Sequence, residues 1–193
     1  MTTFTITASP GTDLWRKPPH ADIFNAPTAA PSSGALPAFL SARGSFAFDF
    51  TERYDQVGLL LTFHPLSSTG PDPSASAPKW IKTGIEFYNS KPMLSTVACE
   101  RYADWSVSPL GPQAARWTTI SIEKSTDEHG TSLWVYHVLE DGTKVPLREI
   151  AWVFGDNPEG WKVEASALAA RPEKGATGDL VVEVKDFEVK WEA

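Results

Sequence analysis

One cysteine, Cys99, stands in 193 residues. An intramolecular disulfide and a cysteine-built zinc site are therefore both excluded. Cys99 shares its strand parity with Val97, so a buried and inert thiol is expected. Basic clusters are absent, and Arg16-Lys17 is the one adjacent basic pair. With a net charge of −7, the chain is a poor fit to nucleic acid or an anionic membrane as a partner. No run approaches the about 18 apolar residues of a bilayer span. Met1 to Thr7 lack the basic and apolar regions of a secretory leader. A cytoplasmic protein is the economical expectation.

Metal and phosphate signals are also missing. His20, His64, His129 and His137 follow no ligand spacing, and no Asp-x-Asp-x-Asp run supports calcium. Asp179 and Asp186 are expected to satisfy a turn and a bulge. Nothing like Gly-Lys-Ser follows the turn at Gly155-Asp156-Asn157-Pro158. No metal and no cofactor is expected.

What is present is material for a β core. Eight Trp, ten Phe and 41% hydrophobic residues can fill one all-β domain spanning 1–193, while 16 Pro and 13 Gly interrupt any helical period. Alternating runs predict strands at Phe4–Ala8, Gly44–Phe50, Asp55–Phe63, Lys79–Tyr88, Met93–Arg101, Arg116–Ser125, Ser132–Leu139, Lys144–Phe154, Trp161–Ala169 and Asp179–Trp191. A short extended piece is expected at Asp13-Leu14-Trp15. Residues 17 to 37 hold five Pro and read as a long loop broken by short extended pieces. Leu66 to Lys79 is Ser, Pro and Gly rich, and a flexible loop is expected over 66–78. Glu140-Asp141-Gly142-Thr143 reads as a hairpin turn. In the last strand the apolar parity changes from Leu180, Val182 and Val184 to Phe187, Val189 and Trp191. One extra residue flips the face, so a β-bulge is expected near Lys185-Asp186. The fold class is an antiparallel β-sandwich.

The strand at Lys79–Tyr88 carries the candidate site. Residues two apart share a face. Ile81, Thr83, Ile85 and Phe87 then face the core, while Trp80, Lys82, Glu86 and Tyr88 face a solvent or a ligand. Asp55 and Gln56 stand at the start of the preceding strand. Aromatic faces stack on sugar C–H groups and planar polar side chains fix hydroxyls, so this set suits a carbohydrate or a small polar ligand. The bland alternative is a Lys82–Glu86 surface ion pair with Trp80 covering a loop. Arg101-Tyr102-Ala103-Asp104-Trp105-Ser106 is expected as a rim loop, with Asp104 capping a turn and Trp105 either walling the groove or anchoring the loop. Trp134 and Tyr136 lie opposite the core residues Leu133 and Val135, either on the same concave face as Trp80 or on an outer layer.

Tyr54-Asp55-Gln56-Val57-Gly58-Leu59, Trp80-Ile81-Lys82-Thr83-Gly84-Ile85-Glu86 and Asp104-Trp105-Ser106 together resemble a protein family of unassigned function. Its best-known name comes from a fungal protein called regulation of enolase. Asp13-Leu14-Trp15-Arg16 is similar to that family's early motif. The resemblance runs from about Phe4 to Trp191. It implies a concanavalin A-like lectin/glucanase sandwich (a jelly roll), a cytoplasmic location and no established catalysis. Ala103 stands where the family commonly has Ser, and the insertion at Leu66–Pro78 suits a fungal-type member.

Catalytic members of this fold carry their carboxylates on one strand as Glu-x-Asp-x-x-Glu or Glu-x-Asp-x-Glu, and neither spacing occurs here. No catalytic residue is assigned. The expected function is non-catalytic binding of a carbohydrate-like ligand by Asp55, Gln56, Trp80, Lys82, Glu86, Tyr88, Trp105, Trp134 and Tyr136. Interaction with a metabolic enzyme such as enolase, which the resemblance implies, is the alternative. A glycoside hydrolase with an unrecognised carboxylate pair centred on Glu86 is the third.

Overall fold

The computed structural model describes residues 3–49, 51–66, 77, 79–111, 116–155 and 157–192. Fourteen strands are named among them. They are β1 (Thr3–Ala8), β2 (Leu14–Lys17), β3 (Ala21–Phe24), β4 (Thr28–Ala35), β5 (Phe39–Phe48), β6 (Gln56–Pro65) and β7 (Lys79–Tyr88). The rest are β8 (Lys91–Cys99), β9 (Ala103–Pro109), β10 (Thr118–Asp127), β11 (Gly130–Val138), β12 (Lys144–Ile150), β13 (Trp161–Ala170) and β14 (Leu180–Trp191). Two six-stranded antiparallel sheets result, ordered β1-β14-β5-β10-β11-β12 and β4-β13-β6-β7-β8-β9. Non-sequential neighbours such as β13 and β6 make the crossings of a jelly-roll sandwich.

The core lies between the sheets. Phe46, Ile120, Ile122, Leu133, Val135, Val182 and Val184 pack from the first sheet onto Leu59, Leu61, Phe63, Ile81, Ile85 and Val163 of the second. Complete burial of each large apolar side chain contributes about 1.5–3 kcal/mol. Thr83, on the same inward face, is satisfied by the Ser95 carbonyl at 3.0 Å and the Thr96 hydroxyl at 2.9 Å. Phe87 is only half-buried.

Strand β14 carries the expected bulge. Its register against β5 shifts between Lys185 and Glu188, and Asp186 adopts a φ of 54°. Two loop expectations are corrected. The proline-rich segment before residue 37 contains β4, eight residues paired to β13. Pro31 is tolerated because β4 is an edge strand, where one side of the backbone needs no partner. The segment around Asp104 is strand β9, hydrogen-bonded to β8, rather than a rim loop. Its half-exposed alternation on a sheet edge lacks the apolar run that marks a strand in sequence. Phe50, residues 67–76 and 78 of the expected 66–78 loop, and Asp156 lie outside the described residues.

A two-stranded hairpin, β2-β3, is separate from both sheets. It lies on the outer face of the second sheet. Leu14 packs there with Leu60, Trp80, Val97, Cys99 and Leu168. Arg16 ties it down by donating to the Ala77 carbonyl at 3.0 Å. The hairpin covers the Trp80 end of that face and leaves the Glu86 end open.

Candidate functional site

Strand parity builds the floor of the site. On the outer face of the second sheet, β6 presents Gln56, Gly58 and Leu60, β7 presents Lys82, Gly84 and Glu86, and β8 presents Ser95 and Val97. Lys82 and Glu86 are four residues apart on one strand, so their Cα atoms are separated by roughly 13 Å. Between them the floor is bare backbone. Gly58 and Gly84 are register partners, and a Cβ on either would meet the opposite strand's carbonyl oxygen at 2.0 Å. Only glycine permits this approach, and it leaves a trough between two charged ends.

Walls rise from elsewhere in the chain. The β2 hairpin supplies Asp13, Trp15 and Lys17, and the turn before β6 supplies Tyr54. Edge strand β9 supplies Trp105, and the segment after β13 supplies Pro172 and Glu173. With Gln56, Lys82, Glu86 and Val97 they enclose a cavity of about 560 Å³. That lies within the about 300–1,000 Å³ of small-molecule sites.

At one end Lys82 Nζ donates to Asp13 Oδ1 at 3.1 Å, with the lysine side chain 7% exposed. Asp13 Oδ1 also accepts the Leu14 N–H at 2.8 Å. The ammonium lies 6.0 Å from the Trp15 and Trp80 ring centres, at the outer limit of a cation–π contact. At the other end Glu86 Oε2 accepts the Ser95 hydroxyl at 2.6 Å and the Trp105 indole N–H at 3.1 Å. Its Oε1 has no protein partner among the described residues. Burial pushes the Glu86 carboxyl above its ordinary pKa, against the hydrogen bond from Ser95, the charge of Lys82 and the bond from Trp105. Gln56 spends its amide N–H on the Tyr54 carbonyl at 3.1 Å.

The aromatic side is a packed cluster. Tyr88 meets Trp105 edge-on at 5.0 Å and stacks on Tyr54 at 5.7 Å, and Trp15 meets Trp105 at 6.4 Å. Tyr54 holds a φ of 68°, a left-handed conformation that costs energy in a non-glycine residue. Its N–H donates to the Phe87 carbonyl at 2.7 Å.

The structure distributes the expected residues unevenly. Gln56, Lys82, Glu86 and Trp105 line the cavity, and Tyr88 buttresses two of its rings. Trp80 is a correction. It is fully buried beneath the β2 hairpin and offers no stacking surface, and its indole N–H has no partner among the described residues. Asp55 is a second correction. Its carboxylate is fully buried against Arg171, Thr51 and the Glu52 N–H, so it holds the turn rather than a ligand. Trp134 and Tyr136 are a third. They stack on each other at 6.1 Å on β11 of the other sheet, away from this cavity. The alternative of a Lys82–Glu86 surface ion pair is not met either, because Lys82 pairs with Asp13.

Sequence reasoning overlooked Trp15, Asp13, Tyr54, Ser95, Val97, Lys17, Pro172 and Glu173 as site residues. Parity in the strand after Met93 would have found Ser95 and Val97. Asp13 and Trp15 stood in a motif already noted, and Tyr54 opened another. Pro172 and Glu173 carry no local signal, because only the return of the chain after β13 brings them there.

The described residues hold no helix long and apolar enough to cross a membrane. Among solved structures, a functionally unknown protein from Saccharomyces cerevisiae superposes with a TM-score of 0.73 at 19% identity, covering 99% of this chain and 89% of that one. An alginate lyase, Aly36B, solved as a mutant in complex with alginate trisaccharide, gives a TM-score of 0.54 at 8% identity, covering 99% of this chain and 82% of that one. These likenesses show the β-sandwich fold. An uncharacterized protein of Emericella nidulans is 40% identical over 181 residues, covering 93% of this chain and 82% of its own length. The family model described as "Protein of unknown function (DUF1349)" matches residues 1–191, and the chain belongs to that family.

Proposed function

We propose that the cavity binds a small carbohydrate without transforming it. One observation carries this reading: a glycine-floored trough with aromatic rings along its side and polar groups at both ends. Trp15, Tyr54 and Trp105 offer ring surface to sugar C–H groups. Lys82, Asp13, Gln56 and Glu86 offer donors and acceptors for hydroxyls on a water-poor floor, where each hydrogen bond counts for more. The alginate lyase of like fold, solved with a trisaccharide, supports the idea that such a sandwich can carry a sugar site. Hydrolysis fits less well. Asp13 is tied to Lys82, and Glu173 is exposed at the rim.

The test is a thermal-shift and calorimetric screen of the full chain against mono- and disaccharides. A bound sugar raises the melting temperature by mass action. Trp15→Ala and Lys82→Ala should abolish the response while the fold persists by circular dichroism. No response to any sugar, with a glycolytic enzyme recovered from a pull-down instead, would move the function to protein interaction.

A further inference from the structure

Resting on that reading, we infer that the cavity selects uncharged sugars and rejects acidic ones. Five ionisable side chains other than tyrosine line it: Asp13, Glu86 and Glu173 against Lys17 and Lys82. The floor cation is already committed. Lys82 is 6% exposed and sits 3.1 Å from Asp13, which answers its charge. A sugar carboxylate approaching that ammonium would meet Asp13 first.

The opposite end is worse for an anion. Glu86 is 6% exposed and forms no ion pair among the described residues. Its neutral donors, Ser95 and Trp105, both bind Oε2. A second carboxylate beside it would be a like charge in a desolvated pocket. Such juxtaposition of like charges weakens binding.

At the rim, exposed Lys17 and Glu173 oppose each other in sign and are screened by water. Arg53 stacks on Tyr54 at 4.5 Å but is exposed and does not line the cavity. Neither basic group gives a uronate a desolvated partner. A hydroxymethyl group in place of the carboxylate meets no such barrier. At the Glu86 end it can donate to Oε1, which has no protein partner among the described residues.

The experiment compares each neutral sugar with its own uronate. Glucose, galactose and mannose, and the corresponding glucuronate, galacturonate and mannuronate, are titrated into the full chain at pH 7.5. The expected result is that a neutral sugar binds and its uronate binds at least about ten-fold more weakly, the mark of an uncompensated like charge. Glu86→Gln should narrow that gap, and Glu128→Gln, exposed in the turn between β10 and β11 of the other sheet, should leave it unchanged. A uronate that binds as tightly as its neutral parent would overturn the charge selection while leaving carbohydrate binding in place. A gap that survives Glu86→Gln in a folded variant would overturn the role given to Glu86. Failure of both series would overturn the carbohydrate reading itself.

Discussion

Arg171 grips Asp55 through two hydrogen bonds, Nε to Oδ1 at 2.9 Å and Nη2 to Oδ2 at 2.7 Å. The two residues are 116 positions apart and both are buried. Arg171 also donates to the Gly178 carbonyl at 2.9 Å and the Thr51 hydroxyl at 2.6 Å, and its N–H reaches the Thr12 hydroxyl at 3.0 Å. The guanidinium therefore joins the turn holding Tyr54 to the segment holding Pro172 and Glu173, and the Arg171 backbone N–H adds the approach to Asp13. These are three walls of the cavity.

Arg171→Ala should lower stability by about 3–5 kcal/mol, because it strands a buried carboxylate. Urea denaturation gives the number. A loss below about 1 kcal/mol would mean the pair is dispensable. Sugar affinity should fall with it, since Tyr54 loses its support.

Gly58→Ala and Gly84→Ala should each cost more than about 2 kcal/mol. The added methyl meets a backbone carbonyl, which moves less readily than a side chain. Near-wild-type urea midpoints would show that β6 and β7 can separate at the trough.

Asp13→Asn and Lys82→Met probe the ion pair of the floor. Either alone should cost roughly 1–3 kcal/mol, less than a wholly buried pair because Asp13 keeps some exposure to water. The double variant should cost less than the sum, by at least about 1 kcal/mol. Additive losses would show that the two charges do not depend on each other.

Glu86 makes stability pH-dependent. Its folded pKa is raised by burial, so its contribution is fully present where the unfolded residue is also protonated, below about pH 4.3. It is lost as pH rises through the higher folded value. Glu86→Gln removes that loss. The variant's urea midpoint should therefore gain on wild type between acid and neutral pH. A difference that stays flat across the range would contradict the shift.

Much of this molecule was legible one strand at a time. The parity of Ile81 and Ile85 against Lys82 and Glu86 appears in the structure as expected, because a pleated strand has no other way to bury one face. The change of parity in β14 located the bulge at Asp186 for the same reason. Strand β4 was hidden by Pro31 and the prolines flanking it, and β9 by its half-exposed edge, since both sit where pairing on one side relaxes the pattern.

The sequence alone determined the sandwich, the family resemblance and which side chains of β7 turn outward, because strand periodicity is local. Tertiary structure decided whether an outward side chain meets solvent, a ligand or more protein. Trp80 and Glu86 share a face, yet the β2 hairpin folds over Trp80 and leaves Glu86 at an open cavity. Asp55 looked like a contact residue until Arg171 arrived from far along the chain. Periodicity fixes direction, whereas burial depends on what distant segments bring to rest above it.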